Sequence, residues 1–294
     1  MSALLAAHTV LRNVLGERLD ARSGGWFSEQ LAPLAQDPSY LMRALPMASR
    51  YAKRTPLGAT EAERAAMQDA LPGLEIGRWT ELEALRVALL GALPNQDGDG
   101  FARNYEEAFR YADDGEQRAL FRALPLLPGP ERFAWRAGEG CRTNIVPVFE
   151  SVATDSPYPV EHFDSVAWNQ MCIKAIFIAA PLHRIHGLDS RLNPELARMA
   201  LDLVEERRSA GRPIQPELWL CLGTHEPERA LPALEQELAQ GDPAGRRAAV
   251  LALARAGQVS DCARFVSDTD PAVASAARDV QDAVPTPAAF APQP

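Results

Sequence analysis

Helix-capping signals recur along this chain so closely that only short helices joined by tight turns fit between them. Thr60 with Glu63 and Thr80 with Glu83 read as capping boxes, in which the hydroxyl takes a backbone donor of the first turn and the glutamate reaches back to the cap. Asn193 before Pro194, Asp242 before Pro243 and Asp270 before Pro271 each set a capping side chain ahead of a proline at the first helical position. Gly211 and Gly257 stand where a left-handed residue ends a helix. Between these marks the chain is rich in Ala, Leu, Arg and Glu, all good helix formers, and the alternation of Val, Ile and Thr that marks a strand is missing. The punctuation predicts helices over 2–19, 26–36, 39–52, 61–70, 81–92, 99–112, 115–124, 130–138, 144–154, 165–180, 194–210, 216–222, 227–240, 244–256, 260–267 and 271–283.

Short connections make antiparallel neighbours, and many such neighbours in series make a helical stack. Residues 242–257 have the form of a HEAT-type repeat helix, and 268–278 repeat the scheme; 85–94 and 120–128 are also alike, each a helix ending in Leu-Pro. The expected fold is therefore all-α, a right-handed stack of antiparallel helix pairs resembling a HEAT-like α-solenoid. A single helical-repeat domain is expected over 1–284, with a distinct central block at 140–222 and a HEAT-like end at 226–284. Residues 285–294 carry four prolines, which cannot continue a helix, and a disordered tail is expected there.

Composition narrows the function classes. With 294 residues, 47% of them hydrophobic, the chain can bury a substantial core. Its 30 basic and 39 acidic residues leave a net charge of −9, which argues against a nucleic-acid or anionic-membrane surface. Cys141, Cys172, Cys221 and Cys262 are scattered with no Cys-x-x-Cys pair, so they read as buried free thiols in a reducing compartment. His8, Arg12, Glu17 and Arg18 interrupt the apolar pattern of the first stretch, so no leader is expected there. The apolar run 171–182 is too short to span a bilayer and contains Lys174, so no transmembrane segment and a cytoplasmic location are expected.

Oddly placed polar groups gather between 140 and 219. Arg142 and Asn144 precede an apolar run, and Asn169 and Lys174 lie within another. Lys174 has Gln170, Met171, Phe177 and Ile178 as its helical neighbours. It is either a ligand-binding or catalytic amine, or a lysine whose stem packs on the helix while its head reaches a carboxylate or solvent. His183, His186 and Asp189 have a possible metal spacing, but Pro181 and Gly187 favour a loop and no His-Glu-x-x-His pattern is present, so no metal is expected. Arg191 and Asn193 follow. Glu206, Arg207 and Arg212 lie at and beyond the end of the next helix, where Arg207 continues an apolar stripe and asks for an anion held bidentately. The cost of burying unpaired charge predicts that Lys174, Asp189 and the arginines of 206–212 converge. No phosphate loop, nucleophile elbow or His/Cys cluster occurs, and 95–100 reads as a solvated turn.

Several stretches resemble the EboA family of bacterial proteins: the run from Arg142 to Phe149, Ser156 to Pro159, Trp168 to Met171, Lys174 to Phe177, Gly187 to Arg191, Asn193 to Ala197, the Glu206 to Arg212 segment, and Pro216 to Trp219. The resemblance runs over about 80–255, with departures at Ser190 and at Arg208, where the family often has tryptophan. It implies a gene neighbourhood of secondary-metabolite biosynthesis that includes a prenyltransferase-like membrane protein. In cyanobacteria the family is linked to handling the precursor of a sunscreen pigment. It implies no reaction. The expected function is a binding or scaffold protein that assists synthesis or trafficking of a metabolite precursor through a central polar pocket. Arg142, Asn144, Asn169, Lys174, Asp189, Arg191, Asn193, Glu206, Arg207 and Arg212 are the candidate lining. Two alternatives stand beside it: an enzyme using Lys174 with Asp189 or Glu206 as acid/base pair, and a closed polar network that only fixes helix register. No cofactor is expected. The expected partners are a small-molecule metabolite or other proteins of that neighbourhood, the prenyltransferase-like membrane protein among them.

Overall fold

The computed structural model describes residues 3–293; Ser2, at the expected start of the first helix, and Pro294, at the end of the expected tail, lie outside the described residues. Helix accounts for 70% of the structure, and among the described residues there is no strand beyond one isolated bridge between Pro56 and Thr80. The chain divides into two compact units, Met1–Phe163 and Asp164–Pro294, so the boundary falls inside the 140–222 block.

The first unit contains α1 (Ala3–Gly16), α2 (Ala21–Gln36), α3 (Leu41–Met47), α4 (Glu61–Ala70), α5 (Glu81–Leu90), α6 (Asp99–Tyr111), α7 (Asp114–Ala123), α8 (Ala134–Gly140), α9 (Val146–Ala153) and α10 (Tyr158–His162). Helix α2 begins well before the predicted residue 26, because the Asp20 carboxylate accepts the Ser23 N–H and the helix runs through Gly24 and Gly25. The predicted helix at 130–138 is a 3-10 turn, Pro130–Phe133, followed by α8.

A buried row forms the core. Every residue of α5 after Glu81 is buried; α5 packs on α7, and α7 on α9, while α1 packs on α4 and α5. The two alike segments at 85–94 and 120–128 thus supply neighbouring helices of one layer. The α8 backbone at Gly140 lies tight against side chains of α7 and α9: an added Cβ would meet the Phe121 ring at 2.6 Å and a Val152 methyl at 2.8 Å.

Three capping boxes, at Thr60/Glu63, Thr80/Glu83 and Asp113/Glu116, do a second job. The glutamate of each, besides closing its own cap, takes an arginine from another helix or its border. Arg18 binds Glu63 through two nitrogens at 2.5 and 2.6 Å. Arg118 and Arg122 reach Glu83 at 2.8 and 3.1 Å, and Arg86 reaches Glu116 at 3.2 Å. Arg86 is nearly inaccessible and spends its Nε on the Leu45 carbonyl at 3.1 Å. These bonds tie local helix starts to tertiary packing, since one carboxylate satisfies both.

The same bonds set a pH dependence. Burial pushes the Glu83 carboxyl up, but the Arg122 and Arg118 guanidinium groups and the Thr80 donors outweigh it and hold it below its ordinary value. The Arg18 bond holds Glu63 low as well. A carboxyl depressed in the folded state contributes stability that is complete above its unfolded value and lost as pH falls through the folded one. The melting temperature is therefore expected to decline as pH drops below about 4.3, and Glu83→Gln to flatten that decline. Thermal melts between neutral and strongly acidic pH check this; equal acid slopes for the two proteins would contradict it.

The second unit contains α11 (Ser165–Phe177), α12 (Pro194–Ser209), α13 (Pro227–Gln240), α14 (Pro243–Arg255), α15 (Val259–Cys262) and α16 (Pro271–Asp282). Helix α11 stops short of the predicted residue 180, with Ala179 in the left-handed region at φ 57°. The predicted 216–222 helix is a 3-10 turn, Pro216–Cys221. Asn193, Asp242 and Asp270 cap α12, α14 and α16 from the side chain, and Gly211 and Gly257 take φ of 63° and 83° after α12 and α14. Alanine-rich α14 is the centre of this unit and packs on α13, α16 and the Pro216–Cys221 turn. Its partner α16 carries the second copy of the HEAT-like pattern. All four cysteines are free and buried, and burial alone pushes the Cys221 thiol up to about 12.

The expectation of a disordered tail is corrected. Pro287–Phe290 forms a 3-10 turn that packs on α14 and on the Leu182–Arg184 and Pro216–Cys221 turns, with the Phe290 ring only 3% exposed. Proline prevents an α-helix there but not docking, and one buried ring with carbonyls pinned by Arg247 and Arg255 holds the segment.

Candidate functional site

The ten polar residues singled out from the sequence are distributed over both units. Arg142 and Asn144 belong to the first, where Arg142 is exposed and pairs with Glu139 one turn earlier. The other eight belong to the second.

Three of those eight come together at the start of α12. The Asn169 and Asn193 amides exchange hydrogen bonds at 3.1 and 2.9 Å, while the Asn193 oxygen also accepts the Leu196 N–H at 2.9 Å. Asn193 further donates to the Arg191 carbonyl, and the Arg191 guanidinium lies over the Trp168 ring, 4.9 Å from its centroid. This cluster ties α11 to α12. Lys174, half-buried, sets its Nζ over the Phe177 ring at 5.8 Å.

The rest separate. Asp189 pairs with Arg255 of α14, not with an arginine of 206–212, so the expected convergence on Asp189 does not form. Arg255 had the shorter path: it ends α14 beside the loop that carries Asp189. Glu206 and Arg212 face each other at 3.8 Å, both exposed. Arg207 donates to the Pro213 carbonyl at 3.1 Å, and its Nε is buried without a hydrogen-bond partner.

What the second unit builds instead is a half-enclosed cavity of about 330 Å³. Its walls come from the end of α11 and the following turn (Ile176, Ala180, Leu182), the Pro216–Cys221 turn, the starts of α14 and α16, and the docked C-terminal segment (Phe290, Pro292, Gln293). Apolar surface dominates, with a few polar groups converging. Glu217 accepts the His183 N–H at 2.8 Å and holds the ring Nδ1 at 3.0 Å. Asp270 is occupied by two backbone N–H groups of α16. Arg247 projects from α14; its Nη2 donates to the Ala289 carbonyl at 2.5 Å, and its Nε is buried with no partner. Burial pulls the guanidinium below the ordinary arginine value, with Asp279 opposing; it stays charged at neutral pH. Such a cavity, mostly apolar with few oriented polar groups, suits a small molecule.

Sequence reasoning placed none of its ten candidates in this wall. The signal for Arg247 was present: its helical neighbours Ala244, Val250 and Leu251 are apolar, the criterion that drew attention to Lys174. Among the described residues no group of three or more His, Cys, Asp and Glu is arranged to hold a metal ion, and His183 is engaged by Glu217.

The sequence model of one family, described as metabolite traffic protein EboA, matches residues 7–223. The chain belongs to the EboA family. No curated protein and no solved structure matches it. The EboA match reaches further toward the N-terminus than the stretch 80–255 on which the resemblance was seen, and it ends before α13. The cavity wall is thus composite. Ile176, Ala180, Leu182 and Glu217 lie inside the EboA-matched part, while Arg247, Asp270 and Phe290 lie beyond it. Among the described residues no helix is long and apolar enough to cross a membrane.

Proposed function

We propose that this EboA-family protein is a helical-repeat carrier or scaffold that holds a small metabolite precursor during its synthesis or movement, on the cytoplasmic side, and that it hands the molecule to proteins of the same biosynthetic neighbourhood. The observation that carries the reading is the half-enclosed, apolar cavity with Glu217 and Arg247 in its wall. The family's description as a metabolite traffic protein supports it, and so does the serial packing of α5 on α7 and of α14 on α16, the arrangement a helical stack requires. For the polar set, Asn169, Arg191 and Asn193 are proposed to fix the α11–α12 junction, and Arg207, with its unpartnered Nε, to keep a ligand-facing role.

Filling the cavity is the test. Ala180→Trp and Ala244→Trp place a large ring in the space. Native mass spectrometry of the purified protein should show a co-purifying small molecule on the parent chain and at least tenfold less on the filled variants, equivalent to about 1.4 kcal/mol. An adduct that both variants retain at the parent level would place the ligand elsewhere. A catalytic reading with Lys174 and a carboxylate has less support, because Asp189 is held by Arg255 and Glu206 faces solvent beside Arg212. Lys174→Met is expected to leave the adduct and the melting temperature within measurement error of the parent; loss of the adduct in a folded variant would restore Lys174 to the site.

A further inference from the structure

The C-terminal segment sits on Arg247, the one cation among the described residues of the cavity wall. Ala289 gives its carbonyl to Arg247 Nη2 at 2.5 Å, and the neighbouring Phe290 ring is buried in the apolar wall. A second cavity of about 230 Å³ is lined by Leu251, Ala276, Val280, Pro285 and Ala289. Arg247 and Gln293 line both spaces, so the segment is the partition between them.

Charge around the partition is uneven. Glu217 is occupied by His183, and Asp270 by the first turn of α16. Asp279 borders the second cavity and takes the Ser275 hydroxyl at 3.3 Å, without an ion pair to Arg247. Arg247 therefore has a neutral acceptor on one nitrogen and none on another buried one. An anionic oxygen adds a Coulomb attraction to a guanidinium that a neutral carbonyl does not supply, and the guanidinium fork can take two such oxygens at once.

Resting on the reading of this cavity as the ligand site, we propose that residues 286–293 are an internal stand-in for the ligand, which is an elongated apolar molecule bearing one carboxylate, sulfonate or phosphate group. Ala289 holds on Arg247 the place of the acid group, and Phe290 holds the place of the apolar body. The ligand enters by displacing the segment, which merges the two cavities into one groove with Arg247 at its middle. The segment suits this role. Its prolines limit the freedom it gains on release, which lets a segment this short dock on few contacts. Among the described residues its side-chain tie to the rest of the fold is the Arg247 bond, while Arg255 holds the Pro285 carbonyl just before it at 2.9 Å.

The test is fluorescence titration with two probes of similar shape, 8-anilinonaphthalene-1-sulfonate, which is anionic, and N-phenyl-1-naphthylamine, which is neutral. A chain ended at Pro285 should bind the sulfonate about tenfold more tightly than the full chain, the factor for a segment docked about nine-tenths of the time. In the shortened chain, Arg247→Gln should return the sulfonate to the weaker affinity or below, with the neutral probe changed by less than about twofold. Near-UV circular dichroism monitors the fold. If the shortened chain loses its near-UV signature, Phe290→Ser in the full chain tests the same displacement and should also tighten the sulfonate. Sulfonate affinity that is unchanged or weaker after shortening makes the segment a wall and overturns the stand-in. Unchanged sulfonate affinity in Arg247→Gln overturns the anion. Saturable binding of the neutral probe alone leaves the cavity reading standing while this inference fails; no saturable binding of either probe to either chain defeats both.

Discussion

Replacing Glu83 by alanine is expected to lower the melting temperature by about 6–20 °C. Glu83 is 3% exposed and serves three partners at once: the Thr80 cap, Arg118 and Arg122. Arg122 is itself buried and lies over the Trp79 ring. Removing the carboxylate leaves that guanidinium buried without its counter-charge, and breaking a buried pair from one side costs about 3–5 kcal/mol. For a domain of this size each kcal/mol moves the midpoint by about 2–4 °C. Glu83→Gln keeps an acceptor for the cap and should fall between the parent and the alanine variant. Calorimetry reads all three. A shift under about 3 °C for the alanine variant would mean that the pair is solvated and that the cap alone matters.

Trp219→Ala should cost about as much in the second unit, roughly 3–5 kcal/mol for a buried tryptophan. Its ring is fully enclosed in the Pro216–Cys221 turn, with the Arg208 guanidinium 6.0 Å from the ring centroid, and the turn packs on α12 and α14. Hydrogen exchange gives this prediction its address: amides of α12 and α14 should exchange faster in the variant. Faster exchange confined to residues 216–221 would show that the ring stabilises its own turn and little else.

The parts of the fold legible in the sequence were those decided within one turn of chain. A Thr followed three residues later by Glu, or an Asp before a Pro, fixes its own backbone, and the caps at Thr60, Thr80, Asn193, Asp242 and Asp270 all form. Asp113 with Glu116 obeys the same rule across Gly115, a residue type that weakens a helix. The start of α2 was misjudged for a related reason: Gly24 and Gly25 weaken a helix, yet the Asp20 cap and the burial of Trp26 and Leu34 overcome them. What a cap glutamate does with its second oxygen is not local. That Glu63, Glu83 and Glu116 would each meet an arginine from elsewhere depends on packing that no short window contains.

The site divides in the same way. Lys174 and Arg247 share a sequence signature, a cation among mainly apolar helical neighbours, but of the two only Arg247 lines the cavity. The difference lies in what covers each helix face, and for Arg247 the cover is a segment whose proline content alone suggested disorder. Composition counts the backbone that cannot form a helix; it does not count one phenylalanine with a place to go.

The packing of the Pro216–Cys221 turn on α14 has a practical corollary for anyone handling this protein. Leu218, Trp219, Leu220, Cys221 and Leu222 are sealed from solvent, and the EboA match ends at the very next residue. A fragment trimmed to the shared sequence would end in a bare greasy face, a surface that invites aggregation. A chain cut after residue 223 is therefore expected to fold poorly, and expression trials should keep α13 to α16.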